Sequence, residues 1–273
     1  MGEGLKYMSE KSLWQHQQKV VDDCKDRNYF SLHWEMGCGK SAAVIHILRG
    51  KYRQEKRFLR TLILVPLSVI QQFAKEFVKF GGLIYSKQVL AVTGTTKQQK
   101  LKQIATHKGA IIIINHDSLN VPELLKALWE FNAEAVIVDE GHKFKEPTAS
   151  RTKKLLGLVR GNLVGHKYFL RMGKRIKMQT ILGKLPPAKY RFTLTGTPIL
   201  NSILDLYSQA KILSDDIFKD ESYYAFWQRY MTNVNASNDW ASFPKFVAAP
   251  GAVNEVSKII RCLLYTSPSP RDS

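Results

Sequence analysis

Six short apolar runs punctuate the chain, at residues 29–33, 61–65, 88–92, 110–114, 135–138 and 190–194, most of them nearly continuous rather than alternating with polar residues. Val, Ile, Leu and Phe follow one another almost without a break, which is how strands buried on both faces of a parallel sheet read. Between the runs lie stretches whose apolar residues recur at helical spacing, such as 69–80, 118–130 and 201–213. The alternation predicts an α/β fold, a mostly parallel, doubly wound sheet sandwiched by helices. Ligands of such sheets bind beyond the carboxyl ends of the strands. The residues just after each run therefore carry the chemistry.

After the first run comes Trp34-Glu35-Met36-Gly37-Cys38-Gly39-Lys40-Ser41. Phosphates need inward-pointing N–H groups, a mobile cation and a metal ligand. Gly37 and Gly39 let a loop curl tightly, with Met36 and Cys38 between and beside them. Lys40 would reach the β- and γ-phosphates, and Ser41 would ligate magnesium at a helix N-terminus. Trp34 stands where the usual G-x-x-x-x-G-K-[ST] pattern has its first glycine. The fifth run ends in Asp139-Glu140, 99 positions after Lys40. Asp139 would hold magnesium, commonly through water, and Glu140 would orient and deprotonate the attacking water.

Composition narrows the partner. A net charge of +18 and a pI near 9.8 favour a polyanion, because counterion release rewards a basic protein on nucleic acid. The charge is clustered: residues 147–204 hold no acidic side chain in 58 positions but twelve basic ones. The three cysteines, Cys24, Cys38 and Cys262, show no metal or disulfide spacing, and no apolar run is long enough to span a membrane.

Taken together, the blocks resemble the N-terminal ATPase lobe of superfamily 2 DNA translocases of the SWI/SNF remodeller type. Residues 13–17 (LWQHQ) are similar to that family's adenine-recognising segment, with Gln17 at its glutamine. Its phosphate loop also commonly lacks the first glycine. Val65-Pro66-Leu67-Ser68 with Phe73, Glu76 and Phe77 resembles motif Ia, and Asn115-His116-Asp117-Ser118 resembles motif Ib. Asp139-Glu140-Gly141-His142 resembles motif II, and Leu194-Thr195-Gly196-Thr197-Pro198 resembles motif III. The resemblance implies a RecA-like P-loop lobe that binds ATP and Mg2+. It implies that His142, Thr195, Gly196 and Thr197 couple the nucleotide state to movement. It also implies that Pro66, Ser68 and Asp117 lie on the backbone of duplex DNA, without sequence specificity.

Residues 1–213 are expected to form the lobe, with a basic insertion at about 161–189. Lys174, Arg175 and Lys177 of that insertion are further candidates for DNA contact. Residues 214–261 are expected to form a helical extension whose aromatic residues serve as core. Residues 262–273 (CLLYTSPSPRDS) resemble the conceptual translation of a transposase-based sequencing-library adapter, so the natural protein is expected to continue beyond Arg261. The family's second lobe supplies arginines in trans, and this chain has no Arg-rich motif of that kind, so negligible turnover is expected of it alone. The rival readings are a strand-separating helicase, the motor of a restriction or phage-defence system, and an ATP-inactive DNA-binding scaffold. The expected location is the cytoplasm or nucleoid of a bacterial or phage-infected cell, or the nucleus of a eukaryotic one.

Overall fold

The computed structural model describes residues 13–147, 149–156, 164–171, 174–181, 188–196, 203–218, 222–234, 246–261 and 264–266. In chain order the elements are α1 (Gln15–Cys24), β1 (Tyr29–His33), α2 (Lys40–Glu55), β2 (Thr61–Val65), α3 (Ile70–Glu76), α4 (Leu83–Ser86), β3 (Val89–Ala91) and α5 (Lys97–Thr106). They continue with β4 (Ile111–Asn115), α6 (Pro122–Phe131), β5 (Ala135–Asp139), α7 (Ser150–Leu156), β6 (Val164–Arg171), β7 (Lys174–Ile181) and β8 (Tyr190–Thr195). The last are α8 (Ile203–Leu213), α9 (Tyr223–Tyr230), β9 (Met231–Asn233), β10 (Phe246–Ala248), α10 (Ala252–Arg261) and β11 (Leu264–Thr266).

Seven strands form one sheet in the order β11-β1-β8-β5-β2-β4-β3, and every neighbouring pair runs parallel. Its two faces can be read residue by residue from the period-two side-chain alternation of a strand. Ile63, Val65, Ile111, Ile113 and Ile137 enter the core under α2 and α3. Leu62, Leu64, Ile112, Ile114, Val136 and Val138 enter the core under α6 on the other face. Both faces being covered is what makes the runs continuous rather than alternating. The α/β expectation is borne out, and all six predicted strands are present.

Helix ends follow local chemistry. Thr96 caps α5 through Gln99 N to Thr96 Oγ1 at 3.2 Å, and Gln99 Oε1 accepts from Thr96 N at 3.2 Å. Pro122 begins α6, and Asn132 closes it in the left-handed region. The helix predicted at 69–80 is shorter than its pattern: α3 ends at Glu76 and a π-turn spans Phe77–Gly81. The wider turn brings Gly81 so close to Tyr85 that a Cβ there would lie 2.7 Å from the Tyr85 Cβ. Likewise the pattern at 118–130 is split, with a 3-10 turn over His116–Asn120 before α6.

The basic segment contains the antiparallel pair β6 and β7, a two-stranded sheet of its own, known here from its backbone. Residues 161–163, 172–173 and 182–187 lie outside the described residues. Within 214–261, α9 and α10 are accompanied by the antiparallel pair β9 and β10. Phe218, Phe226 and Tyr230 pack there with Tyr207 of α8 as buried core. Leu264–Thr266, from the segment that sequence alone sets outside the lobe, lies parallel to Ser31–His33 at one sheet edge.

Candidate nucleotide site

Three neighbouring strands, β1, β8 and β5, end at one place. Register pairs His33 with Thr195 and Asp139 with Leu194, so the phosphate loop, Gly196 and Glu140 all leave the sheet at the same level. Trp34 N donates to Thr195 O at 3.1 Å, tying the first and last of these blocks together.

The loop geometry is set by its glycines. Gly37 and Gly39 have φ of 87° and 77°, a left-handed region that glycine enters without steric cost. A Cβ on Gly39 would sit 2.2 Å from Gln17 Nε2. Gln17 occupies that space and donates to Cys38 O at 3.0 Å, while its Oε1 accepts from Trp14 N at 3.0 Å. His16 Nε2 also lies 3.3 Å from Cys38 O. The residue predicted to read the base therefore also braces the phosphate loop from outside.

Trp34 is only 1% exposed, with its ring edge-on to His16 at 4.9 Å between centroids. It anchors the start of the loop where the usual motif has glycine. Lys40 Nζ donates to Trp34 O at 2.9 Å and Glu35 O at 3.4 Å. Gly196 faces this ammonium, since a Cβ there would meet Lys40 Nζ at 3.3 Å and Met36 Cγ at 3.4 Å. Met36 is 81% exposed beside it. Ser41 stands in the first turn of α2, next to Lys40.

Asp139 closes β5 almost buried. Burial first, and then the neighbouring Glu140 carboxylate, push its carboxyl up to about 6, partly offset by Lys40. Glu76 adds to the same negative field, and its Oε2 is buried without a hydrogen-bond partner. Hard oxygen donors and excess negative charge suit magnesium, which takes one or two carboxylates and completes its shell with water and phosphate. Among the described residues no cluster of three or more His, Cys, Asp or Glu is arranged to hold a metal alone. The Ser41 hydroxyl and the Asp139 carboxylate are oxygen donors of the kind such an ion takes.

Glu140 has φ 52° and ψ 50°, an uncommon conformation for a residue with a Cβ, costing about 1–2 kcal/mol. It turns the chain into the 3-10 turn Gly141–Phe144 and sets Glu140 Oε2 3.0 Å from His142 Nδ1. The same Nδ1 lies 3.4 Å from Thr195 Oγ1, so motif II touches motif III through His142. Thr193 Oγ1 donates to Ser31 Oγ at 2.6 Å, and Ser31 Oγ lies 2.7 Å from His33 Nε2 beneath the loop. Burial, then Lys40, hold His33 neutral, with its pKa pushed down to about 4. Thr197 lies outside the described residues.

Three of the candidate DNA contacts, Pro66, Ser68 and Asp117, follow strand ends on the same rim of the sheet. Pro66 and Ser68 belong to the turn that follows β2, with Ser68 exposed. Asp117 is exposed but paired, its Oδ1 accepting from Arg151 Nη1 at 3.2 Å. Lys154 Nζ donates to Asn120 O at 3.2 Å, and Lys100 Nζ to Asn115 Oδ1 at 3.2 Å. Lys174, Arg175 and Lys177 lie on β7, and their side chains are outside the described residues. Sequence reasoning places His116 in the segment resembling motif Ib but misses that it is buried and bonded to the ends of β2 and β5. Nothing in its local pattern tells that the side chain turns inward, because both partners are distant in sequence.

The chain's likeness to known proteins covers these same elements. It is 27% identical over 176 residues to the DNA excision repair protein ERCC-6-like of Danio rerio, covering 64% of this chain and 10% of that protein. It is 24% identical over 233 residues to protein p41 of Acyrthosiphon pisum secondary endosymbiont phage 1, covering 84% of this chain and 45% of that one. Its fold matches the Sulfolobus solfataricus SWI2/SNF2 ATPase core solved in complex with dsDNA, with a TM-score of 0.67 and 21% identity. That match covers 96% of this chain and 45% of the other, so the chain spans less than half of each of these relatives. The sequence pattern of the SNF2-related domain matches residues 23–163, which carry the phosphate loop, both rim turns and Asp139-Glu140. The chain belongs to the SNF2-related domain family.

Proposed function

We propose that this chain is the nucleotide-binding lobe of a motor that hydrolyses ATP and moves along duplex DNA. The observation that carries the reading is the convergence of Lys40, Asp139-Glu140 and Gly196 at the ends of three adjacent parallel strands. Lys40 exchanges its carbonyl partners Trp34 O and Glu35 O for phosphate oxygens. Gln17 and His16 keep the loop carbonyl of Cys38 turned outward, so that the loop N–H groups face the phosphates. Magnesium, when bound, neutralises phosphate charge. Asp139 and Ser41 would hold it, and Glu140, set by its left-handed backbone, orients the attacking water. His142 lies against both Glu140 and Thr195, and so conveys the state of the site to motif III.

Duplex DNA as the track is supported by the basic rim of Lys100, Arg151 and Lys154 beside the turns after β2 and β4. Contacts from such groups to phosphate position a protein without reading sequence. A second lobe supplied by the rest of a longer protein would complete the site, and turnover by this chain alone is expected to be negligible. The test is ATP hydrolysis with and without duplex DNA, in this chain and in a version extended by a second lobe. Strong DNA-stimulated hydrolysis requiring the extension supports the reading. Absence of nucleotide binding in both versions rejects it in favour of a DNA-binding scaffold.

A further inference from the structure

His116 follows β4 at the start of the 3-10 turn that forms part of the basic rim. Its side chain does not point to solvent. It is 2% exposed, edge-on to the buried Phe144 ring at 5.1 Å. Nε2 lies 2.8 Å from Asp139 O and 3.2 Å from Leu64 O. Both partners are carbonyls and can only accept, so Nε2 carries the hydrogen and donates to both. In the sheet order β2 lies between β4 and β5. The imidazole thus reaches from the end of β4 over β2 to the end of β5. It supplies a donor where the ladder runs out, since the β2–β5 register stops at Leu64 and Val138.

The other end of the turn is held from outside. Arg151 and Lys154 of α7 bond Asp117 and Asn120, and Lys100 of α5 bonds Asn115, which also accepts from Ser118 Oγ. Three cations that a phosphate backbone would draw away are therefore spent on this one turn. On the inner side, the Asp139 carbonyl gripped by His116 is followed directly by the left-handed Glu140. A contiguous chain of contacts runs from the basic rim through residues 115–120 to the backbone that carries the two carboxylates. No second histidine or cation replaces the bond to Asp139 O among the described contacts.

We propose that His116 is a positioning residue that links occupancy of the basic rim by duplex DNA to the placement of Asp139 and Glu140. When phosphates compete for Arg151, Lys154 and Lys100, the turn shifts, and the imidazole carries the shift to the Asp139 carbonyl. Coupling of this kind is a free energy shared by the two sites, and it is reciprocal: DNA changes nucleotide affinity by the same factor as nucleotide changes DNA affinity. The inference rests on the reading that nucleotide binds at Lys40 and DNA at the rim.

The test uses the whole 273-residue chain, a fluorescent ribose-labelled ATP analogue with Mg2+, and a short labelled duplex. Each affinity is measured with and without the other ligand, for wild type, His116→Phe and His116→Gln. Phe keeps the ring against Phe144 and removes the donor, and Gln restores a donor. The expected result is a coupling factor of about fivefold or more in wild type. It should fall to about one in His116→Phe while each ligand alone binds within about twofold of wild type, and return in His116→Gln. Coupling that persists in His116→Phe overturns the proposal. So does a wild type that binds both ligands independently, an outcome that leaves the proposed function intact. Loss of both separate affinities in both variants also overturns it, by making His116 a purely structural residue. A wild type that binds neither ligand removes the underlying functional reading instead.

Discussion

Gln17 stands where a side chain on Gly39 would have to go: its Nε2 lies 2.2 Å from the Cβ position and donates to the neighbouring Cys38 carbonyl. The glycine is thus required twice, once for its φ of 77° and once for the brace from α1. Gly37, with φ 87°, has nothing within 4 Å of its Cβ position and is required once. Replacing either by Ala should cost about 1–2 kcal/mol in backbone strain. Gly39→Ala should in addition lower nucleotide affinity at least tenfold, and Gln17→Ala in the same chain should recover part of that loss. Titration with a fluorescent nucleotide, alongside urea unfolding, separates the two contributions.

Lys40→Ala removes the ammonium that bonds Trp34 O and Glu35 O and that we assign to the phosphates. Charge-assisted hydrogen bonds contribute about 1.5–3 kcal/mol each, so nucleotide affinity should fall about 10–100-fold. Duplex affinity measured by anisotropy should stay within about twofold. A nucleotide affinity that does not change would place the phosphates elsewhere.

Gly196→Ala tests the contact between motif III and the phosphate loop. Its Cβ would press on Lys40 Nζ, the end of a flexible side chain, at 3.3 Å and on Met36 Cγ, in the exposed side chain beside it, at 3.4 Å. The fold should tolerate it, with stability within about 0.5 kcal/mol of wild type. Nucleotide affinity should drop a few-fold because Lys40 is displaced. A drop abolished in the Lys40→Ala background would show that the two changes act through one contact.

Acid should weaken the fold as the pH falls from 6.5 towards 4, through a buried histidine. His46, on α2, has its pKa pushed down to about 4 by burial, with Arg49 and Arg53 adding repulsion. The unfolded chain takes up this proton near the ordinary value of 6.5, the folded chain only near 4, so stability falls as pH drops between them. Discounted for a partly wet position, His46 should account for about 1 kcal/mol. Urea midpoints measured from pH 7.5 to 4 should fall in wild type and fall less in His46→Gln.

The strands were legible because both faces of the sheet are covered, which leaves Ile111–Asn115 or Ala135–Asp139 little room for polar residues. The loop before α2 and the pair Asp139-Glu140 were legible as candidates because phosphate and metal chemistry restrict residue choice at fixed spacing, and the structure brings them to neighbouring strand ends. The hairpin of β6 and β7 was not, since its two strands pair only with each other and show no clean contrast of apolar and polar faces in sequence. Nor was the role of His116, whose partners Leu64 and Asp139 lie 52 and 23 positions away. Trp34 departs from the usual loop pattern in sequence, and its burial against His16 gives that departure a structural purpose.

The place of β8 between β1 and β5 has a consequence for how the chain is made. Tyr29–His33 and Ala135–Asp139 leave the ribosome long before Tyr190–Thr195, yet neither can reach the other except through it. At about 5–20 residues per second, β1 waits on the order of ten seconds for its partner. Through that interval the growing chain carries an unpaired, apolar strand edge, the kind of surface that chaperones cover. On the proposed reading, nucleotide could stabilise this lobe only after Tyr190–Thr195 has joined β1 to β5, and at no stage before.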